Sequence, residues 1–265
     1  MKRKFFAAIL ATMFIFAFGT AMVYANDISV VIHGGNGIND FQEVNFAGQQ
    51  PVIVDGRVLV PVRGVFEQLG FEVSWNDAAR QVTLYHYGYD GFTCPQTILL
   101  TIGSSVFTSD SGRTTDNQPA SYTLDVPAQI IGGSTMIPLR AVVESIFRAH
   151  NTVQTYVVDW NAESQTVYIL STVLFLHDGD VTPANMTRLS QMTHLETLVA
   201  SGVGMNDLTP LANLTNLWHL VLSGNQIRDL TPLSGLTNLV ILALYDNPIT
   251  DWSPVAHVEH VEGRP

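Results

Sequence analysis

The side chains that could carry chemistry are few, and their spacing fits no metal motif. His257 and His260 flank Val258 and Glu259 near the end of the chain, and together they offer nitrogen and oxygen ligands. A structural or catalytic metal site needs three or four ligands that converge. The spacing brings no third ligand beside this cluster, so we predict no metal there.

Three aspartates recur at a spacing of 22 residues, at Asp207, Asp229 and Asp251. Stacked carboxylates could attract a cation. An Asp in a turn, however, usually accepts hydrogen bonds from nearby backbone N–H groups. Turn chemistry is the simpler account of this column, and we predict no cofactor.

An internal duplication places charged and aromatic residues in equivalent positions: Arg63 and Glu67 with Trp75, and Arg140 and Glu144 with Trp160. The Arg-x-x-x-Glu pairs could form a charged binding site. A structural tie is favoured, because both copies carry the pair after the same proline. The tryptophans could stack on sugar rings, but each begins a hairpin in the same register, which favours packing in the core.

Catalytic motifs are missing from the sequence. It contains no HExxH, CxxC, P-loop or GxSxG pattern. The single cysteine, Cys94, has no Lys or Arg within 13 positions that could lower its pKa. We therefore predict that the protein is not an enzyme and has no catalytic residues.

The first 25 residues resemble an export signal. Lys2, Arg3 and Lys4 precede an apolar run, and a small residue, Ala25, offers a cleavage position. Retention of this run as a membrane anchor is the alternative, since it is nearly long enough to span a bilayer. We predict a secreted or cell-surface protein with no membrane insertion after signal cleavage.

The remaining chain is strongly acidic. Without residues 1–25 it keeps nine basic residues against 23 acidic ones, a formal charge of −14. Such a surface repels nucleic acid and anionic membranes. A lone cysteine in an exported protein indicates a bacterial source rather than a disulfide-rich secreted domain.

Residues 189–254 are three consecutive copies of one 22-residue unit, of which the second reads LANLTNLWHLVLSGNQIRDLTP. Each unit is too small to bury its own leucines, so the units must stack and share one core. Asn225 and Asn247 stand where the chain leaves each predicted strand, and the first unit has Val203 instead. Thr209-Pro210 and Thr231-Pro232 predict an N-cap followed by proline at the start of a short helix.

These repeats resemble the bacterial leucine-rich repeats of the internalin type, including the phrase DLTPLxxLTNL. The resemblance implies a short solenoid that serves as a binding scaffold. Residues 172–188 are predicted to cap its first unit. Residues 255–265 begin a fourth unit that forms only a thin cap, so the last leucines would be partly exposed.

The preceding part contains the duplication. One copy, residues 56–85, includes GRVLVPVR and VSWN, and the second, residues 133–169, includes TMIPLR and VDWN. Each copy predicts a strand, a helix and a hairpin. These motifs resemble the copper amine oxidase N-terminal-like domain of exported Gram-positive proteins, which implies a non-catalytic α+β module.

We therefore predict a signal peptide at 1–25, a duplicated α+β sheet/helix domain at 26–171 and a leucine-rich-repeat solenoid at 172–265. The solenoid would present a concave face to a protein or a cell-surface glycan. In the alternative, the α+β domain binds a cell-envelope polymer such as cell wall, and the repeats are a spacer. The residues predicted to point outward on the concave face are Thr197, Val199, Ser201, Trp218, His219, Val221, Ser223, Ile241, Ala243 and Tyr245.

Overall fold

The computed structural model describes residues 28–87, 95–110, 119–148 and 156–264. The predicted signal segment and Cys94 lie outside these residues. Within the described ranges, no helix combines the length and the apolar character needed to cross a bilayer.

The N-terminal half is rich in short strands and has two helices. Its elements are β1 (Ser29–His33), β2 (Phe41–Glu43), β3 (Val52–Val54), β4 (Arg57–Pro61), α1 (Val62–Phe66), β5 (Glu72–Asn76), β6 (Gln81–His86), β7 (Gln96–Thr101), β8 (Val106–Asp110), β9 (Ala120–Thr123), β10 (Gln129–Ile131), β11 (Ser134–Pro138), α2 (Leu139–Arg148), β12 (Tyr156–Asn161) and β13 (Thr166–Ser171). They form three sheets with the strand orders β10-β11-β4-β3, β5-β6-β7-β8-β9 and β12-β13-β1-β2. Both copies of the duplication therefore run strand, helix, hairpin, which confirms that prediction.

The two copies meet at the centre of the first sheet. Strands β4 and β11 pair antiparallel with Val60 opposite Ile137, while Pro61 and Pro138 lie symmetrically on either side. Val60 and Ile137 are also equivalent positions of the duplicated sequence. The register therefore relates the copies by an approximate two-fold axis through this residue pair.

The central sheet is covered on both faces. On one face, Val60 and Ile137 join a large core that includes Phe66 of α1 and Val143 of α2. On the other face, Leu59 belongs to a smaller apolar cluster. This alternation along β4 is what a strand buried on both faces requires.

The C-terminal half contains the repeats. Its elements are β14 (Val173–Phe175), α3 (Pro183–Leu189), β15 (Thr197–Val199), β16 (His219–Val221), β17 (Ile241–Ala243) and β18 (His260–Glu262), with 3₁₀ turns at Thr209–Leu211, Thr231–Leu233 and Ser253–Val255. The strands form one parallel sheet in the order β14-β15-β16-β17-β18, so each repeat contributes one strand. The central residues of successive strands, such as Leu198, Leu220 and Leu242, are in register and fully buried.

Asparagine side chains hold neighbouring repeats together where the chain leaves the strands. The Oδ1 of buried Asn225 accepts a hydrogen bond from the Met205 N–H at 3.0 Å, and its Nδ2 donates to the Ala200 carbonyl at 2.6 Å. Asn247 repeats this pattern one unit later, with the Ile227 N–H at 3.1 Å and the Leu222 carbonyl at 2.9 Å. The predicted asparagine ladder is confirmed.

The prediction of Thr-Pro helix caps is wrong for the repeats. The 3₁₀ turns begin at the threonine or serine itself, and no side chain of their N-cap residue forms a cap hydrogen bond. The Asp207 Oδ1 instead accepts from the Thr209 N–H at 2.8 Å, and Asp229 and Thr231 repeat this bond. The N–H groups that an N-cap Thr209 would reach, those of Leu211 and Ala212, donate instead to the backbone carbonyls of Leu208 and Thr209. Only α3 follows the prediction, where the Thr182 hydroxyl accepts from the Asn185 N–H.

Both ends of the repeat core are covered. At the first end, Ile38 from the loop after β1 is fully buried in the repeat core, and the Phe175 N–H donates to the Gly35 carbonyl at 2.8 Å. A side chain on Gly35, which has φ +82°, would collide with the Val173 carbonyl oxygen. The prediction that residues 172–188 cap the repeats is therefore incomplete, because residues before β2 share that role.

At the other end, the prediction of partly exposed last leucines is wrong. Leu239, Leu242 and Leu244 are buried, and β18 adds a fifth strand beyond them. The Arg264 guanidinium lies over the Trp252 ring and donates to the Val255 carbonyl at 3.3 Å. The last residues thus fold back onto the final turn.

Replacing Asn225 by alanine tests the ladder. The substitution leaves buried backbone groups of two repeats without partners, which costs roughly 2–3 kcal/mol of unfolding free energy. Urea unfolding of the full chain measures it. Asn216→Ala is the matched control, since Asn216 is exposed and makes a single bond to the Thr193 carbonyl. Equal effects of the two substitutions would contradict the special role of the buried amide.

Two histidines lie at the junction between the halves. His33 is fully buried at the end of β1, and neither of its ring nitrogens has a hydrogen-bond partner among the described residues. His194 of the repeats also has a buried, unpartnered Nε2. Burial lowers the pKa of His33 and lowers the pKa of His194 to about 4, and His33 itself disfavours the charged His194. The Gly37 backbone and Asp40 oppose the shift of His33, which Arg188 reinforces, and the Ser171 backbone and Asp159 oppose that of His194.

The junction should therefore weaken in acid. The folded pKa of both histidines lies below their unfolded value, so the unfolded chain takes up protons first and stability falls as the pH drops below about 6.5. For His194 the loss amounts to roughly 3 kcal/mol by pH 4. Urea unfolding at pH 7.5 and pH 4.5 measures the change. His194→Gln should reduce it, whereas the exposed control His257→Gln should not; an undiminished pH dependence in His194→Gln contradicts the assignment.

Candidate binding face

The candidate site is the outward side of the parallel sheet, called here the sheet face. The strand register arranges its residues in two rows. The first row consists of Val173, Thr197, His219, Ile241 and His260. The second consists of Phe175, Val199, Val221, Ala243 and Glu262. Between these rows the central residue of each strand points into the core.

Further residues border the rows at the strand ends. Trp218 and Val240 precede their strands, and backbone bonds join Trp218 to Glu196 and Val240 to Trp218. On the opposite border, the Gly202 N–H donates to the Ser223 carbonyl and the Gly224 N–H to the Tyr245 carbonyl. Consecutive repeats therefore place equivalent residues side by side across the whole face.

Most of the predicted face residues are accessible. Trp218 is 42% exposed and Tyr245 50% exposed, and Ser201 is also exposed. The half-buried members are Val199, His219, Val221, Ser223 and Ile241. The sheet thus carries apolar and aromatic side chains in reach of a partner, with few charges between them.

Two predicted residues offer little surface. Thr197 is only 5% exposed and Ala243 only 7% exposed. Both are short side chains in register with longer neighbours, Thr197 beside His219 and Ala243 beside Val221. The alternation of side chains along each strand places both residues on the face, but their short side chains leave little surface accessible to solvent.

Phe175 is a face residue that the sequence reasoning missed. It continues the row of Val199 and Val221 onto β14 and is 40% exposed. The signal was present, since Val173-Leu174-Phe175 has the same outward-inward-outward pattern as the repeat strands. Residues 172–188 were predicted only to cap the repeats, so the place of Phe175 on the face was not recognised.

The middle of the face carries little charge. His219 lies beside the Trp218 ring, with 5.4 Å between ring centroids, and burial lowers its pKa although Glu262 nearby acts in the opposite direction. The imidazole is therefore neutral at neutral pH. Of the carboxylates near the face, Glu196 precedes β15 and Glu262 lies on β18 at the edge of the sheet.

The other residues considered as candidate sites, the three aspartates and His257, make hydrogen bonds within the fold. Hydrogen bonds from the Thr209 N–H and hydroxyl lower the pKa of Asp207, and the same pattern lowers those of Asp229 and Asp251, as turn chemistry predicts. His257 contacts the Leu236 carbonyl at 3.2 Å. Within the described ranges, no three His, Cys, Asp or Glu side chains converge as metal ligands.

The Arg-x-x-x-Glu pairs form ion pairs on their helices, 3.0 Å for Arg63–Glu67 and 3.8 Å for Arg140–Glu144. The Glu144 carboxylate also accepts from the Val158 N–H at 3.3 Å and so ties α2 to β12. The structural tie is confirmed for this second pair. The first pair lies at the surface, and within the described residues Glu67 makes no corresponding bond to the hairpin that follows it.

Comparison with known families gives one match in each half of the chain. Residues 39–169 match the copper amine oxidase N-terminal domain, and residues 215–257 match leucine-rich repeats in two copies. The chain joins a copper amine oxidase N-terminal domain to leucine-rich repeats. The first predicted repeat falls outside the second match, in line with its Val203 in place of the ladder asparagine. Neither match is to a catalytic family.

Among solved structures, the chain is similar to internalin C2 from Listeria monocytogenes, with 38% identity over 34% of this chain and a TM-score of 0.30. It is also similar to the internalin inlF of the same organism, with 36% identity over 28% of this chain and a TM-score of 0.27. The chain spans 42% and 22% of the lengths of these proteins. A comparison with curated proteins gave no match.

Proposed function

We propose that the leucine-rich repeats form a short solenoid that binds a protein partner through the sheet face. The observation that carries this proposal is the accessible apolar surface formed by Trp218, Val240 and Tyr245 with the row of Phe175 and Val199. A soluble chain rarely leaves so many large apolar side chains together unless they meet a partner. Aromatic residues on a face poor in charge are the usual anchors of protein interfaces.

The charge distribution favours a protein partner. The chain has a formal net charge of −11, yet the rows of the sheet face carry a carboxylate only at β18. An acidic protein surrounding a neutral apolar patch repels polyanions while leaving the patch free to exclude water against another apolar surface. The four strands from β14 to β17 supply this patch, so we expect a modest interface rather than a large obligate one.

Substitution of Trp218 and Tyr245 tests the sheet face. The full chain carrying Trp218→Ala and Tyr245→Arg should lose at least tenfold in affinity for a protein captured from extracellular extracts, since two interface aromatics are removed and a charge is introduced. Titration calorimetry with the purified partner measures the loss. Tyr87→Arg is the control, because Tyr87 is an exposed aromatic far along the chain from the repeats. Unchanged affinity in the double variant, with its unfolding midpoint preserved, would refute the proposal.

We also propose that the protein acts outside the cell, on the basis of the N-terminal basic and apolar run. Expression of the full chain in a Gram-positive host should yield a product in the medium or on the cell surface that begins at Asn26. Amino-terminal sequencing of that product provides the check. A product that retains Met1 in the membrane fraction would show that the run is an anchor.

A second candidate function is attachment to a cell-envelope polymer through the copper amine oxidase N-terminal domain. The specific observation in its favour is Trp75, which is 40% exposed instead of packed in the core as predicted. Trp160 is half-buried and packs against the core, so the prediction holds only for the second copy. In this reading the envelope polymer and the protein partner occupy different halves of the chain.

A further inference from the structure

Two grooves in the N-terminal half repeat each other. Groove 1, about 400 Å³, is lined by Arg63 and Trp75 of the first copy and by Ile130 and Ser134 of the second. Groove 2, about 600 Å³, is lined by Arg140 and Trp160 of the second copy and by Ile53 and Arg57 of the first. Each groove thus combines the helix start and tryptophan strand of one copy with the central hairpin of the other.

The approximate two-fold axis explains why the groove occurs twice. Because Val60 lies opposite Ile137, the β10–β11 hairpin reaches the first helix just as the β3–β4 hairpin reaches the second. Any surface built between a helix of one copy and a hairpin of the other is therefore duplicated. The equivalence of the two grooves is a consequence of the strand register, and no additional sequence feature is needed to produce it.

The groove walls combine an aromatic ring with hydrogen-bonding groups. In groove 1, Trp75 is 40% exposed, Ile130 is 45% exposed, and the Trp75 Nε1 donates to Asp77 at 3.4 Å. The Ser134 hydroxyl and the Arg63 guanidinium add a neutral and a charged donor. A flat apolar ring beside short polar groups suits a ligand that has one apolar face and a hydroxyl-bearing edge. A sugar ring has this amphipathic character.

The charged residues around the two grooves favour a neutral sugar over an anionic one. Arg63 and Arg140 are each paired with a glutamate on their own helix, and Arg57 is paired with Asp125 at 2.8 Å. Asp77 in groove 1 and Asp159 in groove 2 then add uncompensated negative charge. An anionic polymer would meet repulsion from these carboxylates and from the acidic chain as a whole.

We propose that grooves 1 and 2 each bind a short segment of a neutral polysaccharide, with Trp75 and Trp160 stacked against sugar rings. This inference rests on the second candidate function and names its site and ligand class. Two equivalent grooves suit a polymer of repeating units, because binding in the second groove becomes intramolecular once the first is occupied. The more exposed Trp75 makes groove 1 the stronger contributor.

Pull-down of the full chain on insoluble polysaccharides tests the proposal. The probes are cellulose, chitin and an insoluble α-glucan as neutral polymers, and immobilised polygalacturonate as the anionic one. The chain should be retained by at least one neutral polymer and not by polygalacturonate. Retention by none of the neutral polymers, or by polygalacturonate alone, overturns the proposal.

Variants then locate the binding. Trp75→Ala should weaken retention about tenfold, as loss of an anchoring tryptophan does, whereas Trp75→Phe should weaken it less. Adding Trp160→Phe to Trp75→Ala should weaken it further. Unfolding midpoints verify that each variant is folded. Trp160→Phe is used because the half-buried Trp160 also packs against the core.

The sheet-face variant Trp218→Ala serves as the matched control and separates the two proposals. It should leave polysaccharide retention unchanged, because Trp218 belongs to the repeats and not to either groove. If Trp218→Ala abolishes retention while Trp75→Ala does not, the repeats bind the glycan and the groove proposal is wrong. Loss of protein binding alone in Trp218→Ala leaves the groove proposal standing and supports the sheet face.

Discussion

The leucines of a 22-residue repeat cannot be buried within that repeat, and this constraint shapes the C-terminal half. Leu198, Leu220 and Leu242 are buried because each strand lies against the next, so the core is continuous only while neighbours exist on both sides. The ends need cover from elsewhere. Val258 and β18 provide it at one end, and Ile38, from before the first copy of the duplication, provides it at the other. The first strand of the parallel sheet, β14, is thereby tied to the N-terminal half, and the close approach at Gly35 leaves no room for a side chain.

This dependence has an electrostatic consequence at the junction. Covering the end of the repeats buries His33 and places Arg188 over the Phe41 ring, with 5.7 Å from the guanidinium carbon to the ring centroid. A buried imidazole is stable only while neutral. The same packing that closes the core therefore makes the union of the two halves sensitive to protonation.

The sequence predicted the periodic features and missed those that depend on distant segments. Asn225 and Asn247 were predictable because each serves backbone groups one repeat away, and the repeat length fixes that distance. The cap by Ile38 was not, since nothing local to that residue indicates a repeat core lying some 130 residues along the chain. The exposure of Trp75 was missed for a similar reason. Trp75 lies near the end of an edge strand, and four of the five residues of β5 are exposed, so its hairpin position did not imply burial.

Most ionisable groups with a shifted pKa among the described residues make structural contacts. A catalytic group must be free to contact a substrate and have a pKa shifted towards its task. The carboxylates with lowered pKa, Asp207, Asp229 and Asp251, each accept backbone hydrogen bonds that order a turn. Of the histidines with lowered pKa, His33 and His194 lie at the structural junction, His86 packs beside the Phe71 ring, and His219 joins an apolar face. The groups left to meet a partner are mainly rings and aliphatic side chains: on the sheet face they favour a protein surface, and in the grooves, beside short polar groups, they favour a sugar. The two proposed ligand classes thus differ in what surrounds each tryptophan.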